Sequence, residues 1–216
     1  MDYNQIYIFG QRYTRGEFRV YSHELVDVDS YNLHRGEEDI ETPVNFFHVA
    51  GKKIYDLINI GSAIVVLLSE RVINILKENQ ITGWKSYPAI IYDKQGNIID
   101  NYSVFAVTGR CGPIDHYKSE EFIKDPYFEG GPYNEMLRGI YPDMEQWDGS
   151  DIFTAEGGTA YTFMSKKARD LLVKNKITNI TLTKTTEFEY FKQLRDNKYE
   201  DDEDIDLSSI FVNWKP

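Results

Sequence analysis

The densest group of chemistry-bearing residues in this 216-residue chain is the segment GRCGPIDHYKSEE, which places Arg110, Cys111, Asp115 and His116 within seven positions. A thiol flanked by an imidazolium and a guanidinium is the pattern of a cysteine nucleophile, because both cations favour the thiolate. Such pairs are normally assembled across a fold, and no local signature of a known thiol enzyme surrounds this cysteine. The expected role of Cys111 is therefore a small buried residue in a glycine-flanked turn. An enzyme of unknown reaction built on the Arg110–His116 loop remains the rival reading.

The other candidate sites are weaker. Asp202, Asp204 and Asp206 have the 1, 3, 5 spacing of a calcium loop, but the sixth position is Leu207 where a sharp turn needs Gly. The twelfth is Asn213 in place of a bidentate Glu. His23, His34, His48 and His116 show no i, i+4 pair, so no metal site is expected. The glycine pairs in FEGGPYNE and AEGGTAY fit neither nucleotide-binding fingerprint, and no cofactor is expected.

Composition narrows the function classes. The formal net charge of −11 repels phosphate backbones and anionic membranes and attracts basic partners, so no nucleic acid and no membrane is expected as a partner. The longest apolar run, SAIVVLL, is far short of the roughly 20 residues that span a bilayer. The N-terminus MDYNQIYIFG does not read as a secretory signal, and Cys111 is the single cysteine. Both features point to a reducing, cytoplasmic setting.

Around these residues the chain reads as strands and short helices. QIYIFG, GEFRVYSHEL, VNFFHVA and SAIVVLL have strand character, NLHRGEEDIETP reads as loop, and KKIYDLIN as a short helix or a helical turn. Ser69 is a helix N-cap and Gly83 an exit, and AIIYDKQGNIIDNYSVF is a hairpin about residues 94–97. The segment SERVINILKENQITG then recurs as SKKARDLLVKNKITN at a constant offset of 96 residues, from Ser69 to Ser165. Two related strand–helix–strand units, about residues 63–93 and 159–188, are expected inside one α+β domain spanning 1–216. That domain would carry a mixed or antiparallel sheet with helices packed on it. The stretch from Arg110 to Gly149, with Pro113, Pro126, Pro132 and Pro142, reads as mostly loop and short helix.

The run YDLINIGSAIVVLLSERVINILKENQITGWKSYPAIIYDKQGNIIDNYSVF resembles a bacterial family of immunity proteins from polymorphic toxin systems. The resemblance rests on Asp56-Leu57, Ser69-Glu70-Arg71, Leu76, the Ile81-Thr82-Gly83 exit and the hairpin through Tyr102. YTFMSKKARDLLVKNKITN looks like a second module of the same kind. The resemblance implies a non-enzymatic cytoplasmic protein that binds and blocks a cognate toxin domain; a basic, nucleic-acid-targeting toxin would suit the acidic chain. A ligand-binding or scaffold module is the further alternative. The expected binding surface is the aromatic segment carrying Tyr117, Tyr127, Phe128, Tyr133 and Trp147, assisted by Asp201, Asp202 and Asp204 of the acidic run.

Overall fold

The recurring strand–cap–helix pattern builds the same unit twice, and the computed structural model shows how the two are joined. It describes residues 2–22, 24–26, 30–61, 64–157 and 161–196; the expected contribution of Asp201, Asp202 and Asp204 lies outside the described residues. In the first half the elements are β1 (Ile6–Gln11), β2 (Arg19–Tyr21), α1 (Ser30–Arg35), β3 (Val44–Ala50), β4 (Leu57–Asn59), β5 (Val66–Ser69), α2 (Glu70–Glu78), β6 (Trp84–Tyr92) and β7 (Ile98–Ile99). The second half has β8 (Tyr102–Val107), β9 (Gly109–Cys111), β10 (Glu120–Lys124), β11 (Asn134–Arg138), β12 (Ile152–Ala155), β13 (Thr162–Ser165), α3 (Lys166–Lys174), β14 (Ile180–Lys184), β15 (Glu189–Phe191) and α4 (Gln193–Asp196). The fold is a mixed α+β structure, mostly sheet.

Six strands close into a barrel in the order β3-β2-β4-β5-β8-β6, with Val44 pairing Ala89 across the seam. Inward-facing Val20, Phe46, Ile58, Leu67, Ile91 and Val104 fill it, and Leu33 of α1 joins them. Closure removes the exposed sheet edges that an open array would leave. The sequence reading did not anticipate the barrel.

A second sheet runs β14-β1-β13-β12-β9. It repeats the first in register: Phe105 of β8 lies opposite Val66 of β5, and Phe9 of β1 opposite Thr162 of β13, each pair shifted by 96 residues. Likewise Ser86 faces Phe105 and Leu182 faces Phe9. Where Val44 meets Ala89 in the barrel, the Ile140 amide donates to the Thr185 carbonyl, 96 residues on in both cases, at 2.9 Å. Each half has therefore placed its first strand in the other half's sheet. β1 sits between β13 and β14, and β8 sits between β5 and β6.

The packing follows this exchange. One face of the second sheet, with Ile6, Ile8, Phe153 and Phe163, forms its own core with Leu137 and Tyr190. The other face, through Phe9, Ile152 and Met164, meets Leu57, Leu68 and Phe105 on the outer wall of the barrel, with α2 and α3 closing the seam. Ser69 caps α2 by accepting the Val72 amide, and Ser165 caps α3 by accepting the Ala168 amide. Both helices end at an asparagine, Asn79 or Asn175, followed by a left-handed residue with φ 52°, Gln80 or Lys176. Among the described residues, no helix is long and apolar enough to cross a membrane.

Several local expectations are corrected. Leu57–Asn59, read as a short helix or a helical turn, is β4, because its pairing with β5 buries all three residues. NLHR, read as loop, lies in α1, whose Leu33 is wholly buried. GEFRVYSHEL supplies only the short β2 before a 3₁₀ turn at Glu24–Val26. The region 110–149 is mostly loop with a short 3₁₀ turn at His116–Lys118, as expected, but it also holds part of β9 and an unexpected antiparallel hairpin, β10–β11, paired from Glu120–Arg138 to Lys124–Asn134.

Candidate functional site: the β10–β11 hairpin

Alternation along β9 sends neighbouring side chains to opposite faces, which already separates Arg110 from Cys111. Arg110 donates to the carbonyls of Val107 (2.7 Å) and Arg35 (2.7 Å) and to Glu37 (3.0 Å), fastening the end of α1 onto β9. Cys111 points into the core, 1% exposed, with its thiol 3.6 Å from the Thr154 carbonyl. Burial, reinforced by Asp148 and Asp143, pushes this thiol up to about 12, the opposite of what a nucleophile needs. Asp115 caps a 3₁₀ turn by accepting the Tyr117 amide. The His116 ring hydrogen-bonds the Tyr190 hydroxyl at 2.9 Å, and burial lowers its pKa. The four side chains thus take up separate structural duties and do not converge as the thiol-enzyme reading requires.

Downstream, the hairpin is anchored at its base and open at its tip. Ser119 donates to the Gly139 carbonyl (2.7 Å) and contacts the Tyr190 hydroxyl (2.9 Å), while Leu137 and Tyr190 enter the core. On one face Arg138 pairs with Glu189 (3.1 Å) and lies 4.5 Å over the Phe122 ring, and Lys124 also pairs with Glu189 (2.9 Å). On the other, Lys192 bridges Glu121 (2.9 Å) and Glu135 (3.3 Å), and Arg195 holds Glu121 (2.6 Å). Exposed pairs of this kind are individually worth little, but as a network they fix the attitude of the hairpin.

Beyond Lys124 and Asn134 the chain makes a nine-residue tip, DPYFEGGPY. Pro126 and Pro132 restrict φ on either side of it. The Gly131 amide donates to the Phe128 carbonyl at 3.1 Å, and the Phe128 ring lies over Gly131 so closely that a Cβ there would meet ring carbons at 3.1–3.2 Å. Gly130, at φ +77°, supplies the left-handed step that permits this turn. The result is an aromatic tip with Tyr127, Phe128 and Tyr133 exposed at 67, 69 and 68%.

Four of the five expected aromatic residues are at the surface, but they do not form one patch. Tyr117 is 83% exposed at the base, under the Arg195 guanidinium, and the whole of β10 separates it from the tip. At about 3.4 Å per residue that strand spans roughly 17 Å. Trp147 differs from them: it is half-buried, its ring packs against Phe153 at the margin of the second core, and its Nε1 donates to the Ser150 carbonyl at 3.2 Å. Ile123, at 62% exposure on β10, was missed. The quintets EEFIK and NEMLR on either side of the tip each hold a pair of adjacent apolar residues without the alternation of a half-buried strand, and the surrounding prolines and glycines masked them further.

Two further features bear on the alternatives. An open cavity of about 310 Å³ lies at one mouth of the barrel, lined by Phe18, His48, Lys52, Ile54, Lys94 and Ile99 among others. Among the described residues, no group of three or more His, Cys, Asp and Glu side chains is placed to hold a metal ion. The chain matches no protein-family model and no curated protein.

Proposed function

We propose that this is a cytoplasmic binding protein of the immunity type, which blocks a cognate toxin domain by seating the β10–β11 hairpin against it. The observation that carries this reading is the tip itself: three exposed aromatic rings on a turn held by two prolines and braced by ion pairs at its base. Rings held in one place supply contact area at low entropic cost, and aromatic residues dominate binding hot spots. The net charge of −11 adds long-range attraction for a basic toxin and a faster association. A ligand-binding module is the second reading, favoured by the cavity at the barrel mouth.

The test looks first for a toxin domain encoded beside this chain's gene, then measures binding and rescue with it. The wild-type protein should form a stable complex and restore growth of cells expressing the toxin. The pair Tyr127→Ala and Phe128→Ala should speed dissociation by about tenfold or more. Full rescue and unchanged dissociation in that variant would remove the hairpin from the interface. Absence of any complex with the wild type would end the immunity reading.

A further inference from the structure

The three-stranded sheet runs β10-β11-β15, which leaves β10 at an edge with no strand beyond it among the described residues. Backbone directions show which groups that edge presents. The Lys192 amide donates to the Glu135 carbonyl (3.1 Å) and the Gly139 amide to the Phe188 carbonyl (2.8 Å), so the odd-numbered backbone groups of β11 face β15. Asn134, Met136 and Arg138 therefore turn toward β10, where they pair with Lys124, Phe122 and Glu120. Alternation leaves the N–H and C=O groups of Glu121 and Ile123 pointing outward along an edge without bulge or proline.

We propose that β10 is a docking edge for an extended, basic segment of the partner, which adds to the sheet as a fourth strand. Backbone pairing to Glu121 and Ile123 supplies affinity, and the side chains beside it select the segment. Ile123 offers an exposed apolar contact on one face. Between Glu120 and Glu129 the edge and tip carry Glu120, Glu121, Asp125 and Glu129 against Lys124 alone, and Lys124 is already paired with Glu189. Glu120 and Glu121 hold Arg138, Lys192 and Arg195, whereas the exposed Asp125 and Glu129 are in no ion pair among the described residues. An incoming strand with cations near the tip and an apolar residue beside Ile123 fits this pattern; an acidic strand does not.

The inference rests on the partner-binding reading of the same hairpin, and a peptide separates the two. A ten-residue peptide of alternating Lys and Val, with a Glu–Val peptide as counterpart, is titrated into the full chain while amide exchange is followed by NMR. The Glu121 and Ile123 amides should exchange rapidly in the free protein and slow at least tenfold with the Lys–Val peptide only. Ile123→Pro removes an outward N–H without removing a β10–β11 bond, and should weaken the peptide about tenfold. Ile123→Lys, which keeps the backbone intact, should also weaken it through repulsion, so a misfolded proline variant does not decide the matter. Protection of the two amides before peptide is added overturns the proposal. So does equal binding of the Glu–Val peptide, or no effect at these amides at millimolar peptide. If the peptide fails while the toxin still depends on Tyr127 and Phe128, strand addition is wrong and the proposed function stands. If the peptide adds and the toxin does not bind, the reverse holds.

Discussion

Asp56 accepts the amide (2.9 Å) and the hydroxyl (2.8 Å) of Thr178, and Asp151 accepts those of Thr82 (3.2 and 3.4 Å), so each carboxylate closes the exit turn of the other half. Each threonine hydroxyl in turn receives the backbone amide of its aspartate. Asp56 also holds Ser69 and Arg71, and Asp151 holds Ser165 and Lys167. The helix cap of one unit and the exit turn of its twin are thereby tied to one carboxylate.

Replacing either aspartate by Ala should destabilise the chain by about 3 kcal/mol, since several charge-assisted hydrogen bonds lose their acceptor together. Asp56→Ala should cost more, because its bonds to Thr178 are shorter. Burial pushes both carboxyls up, but Thr178, Arg71 and Ser69 at Asp56 outweigh it, as do Lys167, Ser165 and Thr82 at Asp151, and both end below the usual range. A lowered folded pKa stabilises above the unfolded value of about 4, and that contribution is lost as pH falls through the folded values. Urea unfolding from pH 7 downward should show a drop below about pH 4 that the Asp56→Asn, Asp151→Asn variant largely lacks. An identical acid-side slope in that variant would place the sensitivity elsewhere.

Gly83 and Asn179 occupy the same left-handed position in the two units, at φ 85° and 63°. A Cβ on Gly83 would lie 1.9 Å from the Ile152 carbonyl oxygen. Asn179 fits, and its side chain donates to Glu17 (3.0 Å) and to the Leu57 carbonyl (3.1 Å). Gly83→Ala should cost about 3 kcal/mol or more from backbone strain and displacement. Asn179→Gly should cost about 2 kcal/mol, by leaving Glu17 short of a donor. Thermal or urea unfolding measures both, and a neutral Gly83→Ala would contradict the shared geometry.

The exchange of β1 and β8 predicts that neither half folds alone. Residues 1–96 lack the strand between β5 and β6, and residues 97–216 lack the strand between β13 and β14. Each fragment should show no cooperative unfolding transition, whereas mixing them should restore one. The cut falls in the exposed Asp93–Asn97 turn, where Asp93 accepts the amides of Gln95 and Asn97. A cooperative transition in either fragment by itself would show two independent units.

How far these features could be read from sequence depended on how local their causes are. Ser69 and Ser165 were legible as caps because a cap is decided within four residues of chain. The hairpin at Lys94–Asn97 was legible for the same reason. Leu57–Asn59 was not: KKIYDLIN has no period that separates a turn of helix from a strand, and distant pairing decides it. The barrel seam between Val44 and Ala89 has no local signature either. The repeat reaches β1 and β8, but QIYIFG and NYSVFAV share little beyond Phe9 and Phe105, so the exchange stayed hidden. At the candidate site, Tyr127, Phe128 and Tyr133 were found through their turn chemistry. The packing of Trp147 was not legible, because only the fold brings Phe153 against its ring.

Cys111 should behave as a core residue. Its burial and raised pKa predict that a thiol reagent at pH 8 labels the native protein only as fast as it opens. Cys111→Ser should cost about 1 kcal/mol, and partner binding should stay at the wild-type level. Rapid stoichiometric labelling of the folded chain would contradict the burial and reopen the nucleophile reading.

Phe128 and Trp147 should give opposite phenotypes although both lie in the same Pro/Gly-rich segment. Phe128 is largely exposed, with its ring over Gly131 of its own turn, so Phe128→Ala should change stability by no more than about 0.5 kcal/mol. If the tip is the anchor, the same change should raise Kd by about tenfold or more, mainly through faster dissociation. Half-buried Trp147 packs on Phe153 against the second core, so Trp147→Ala should cost about 2 kcal/mol. Below its lowered melting point, that variant should bind with wild-type kinetics, because its ring is not part of the tip surface. Measuring unfolding and dissociation on both variants separates the two roles. Weak binding by folded Trp147→Ala together with normal binding by Phe128→Ala would move the interface off the hairpin.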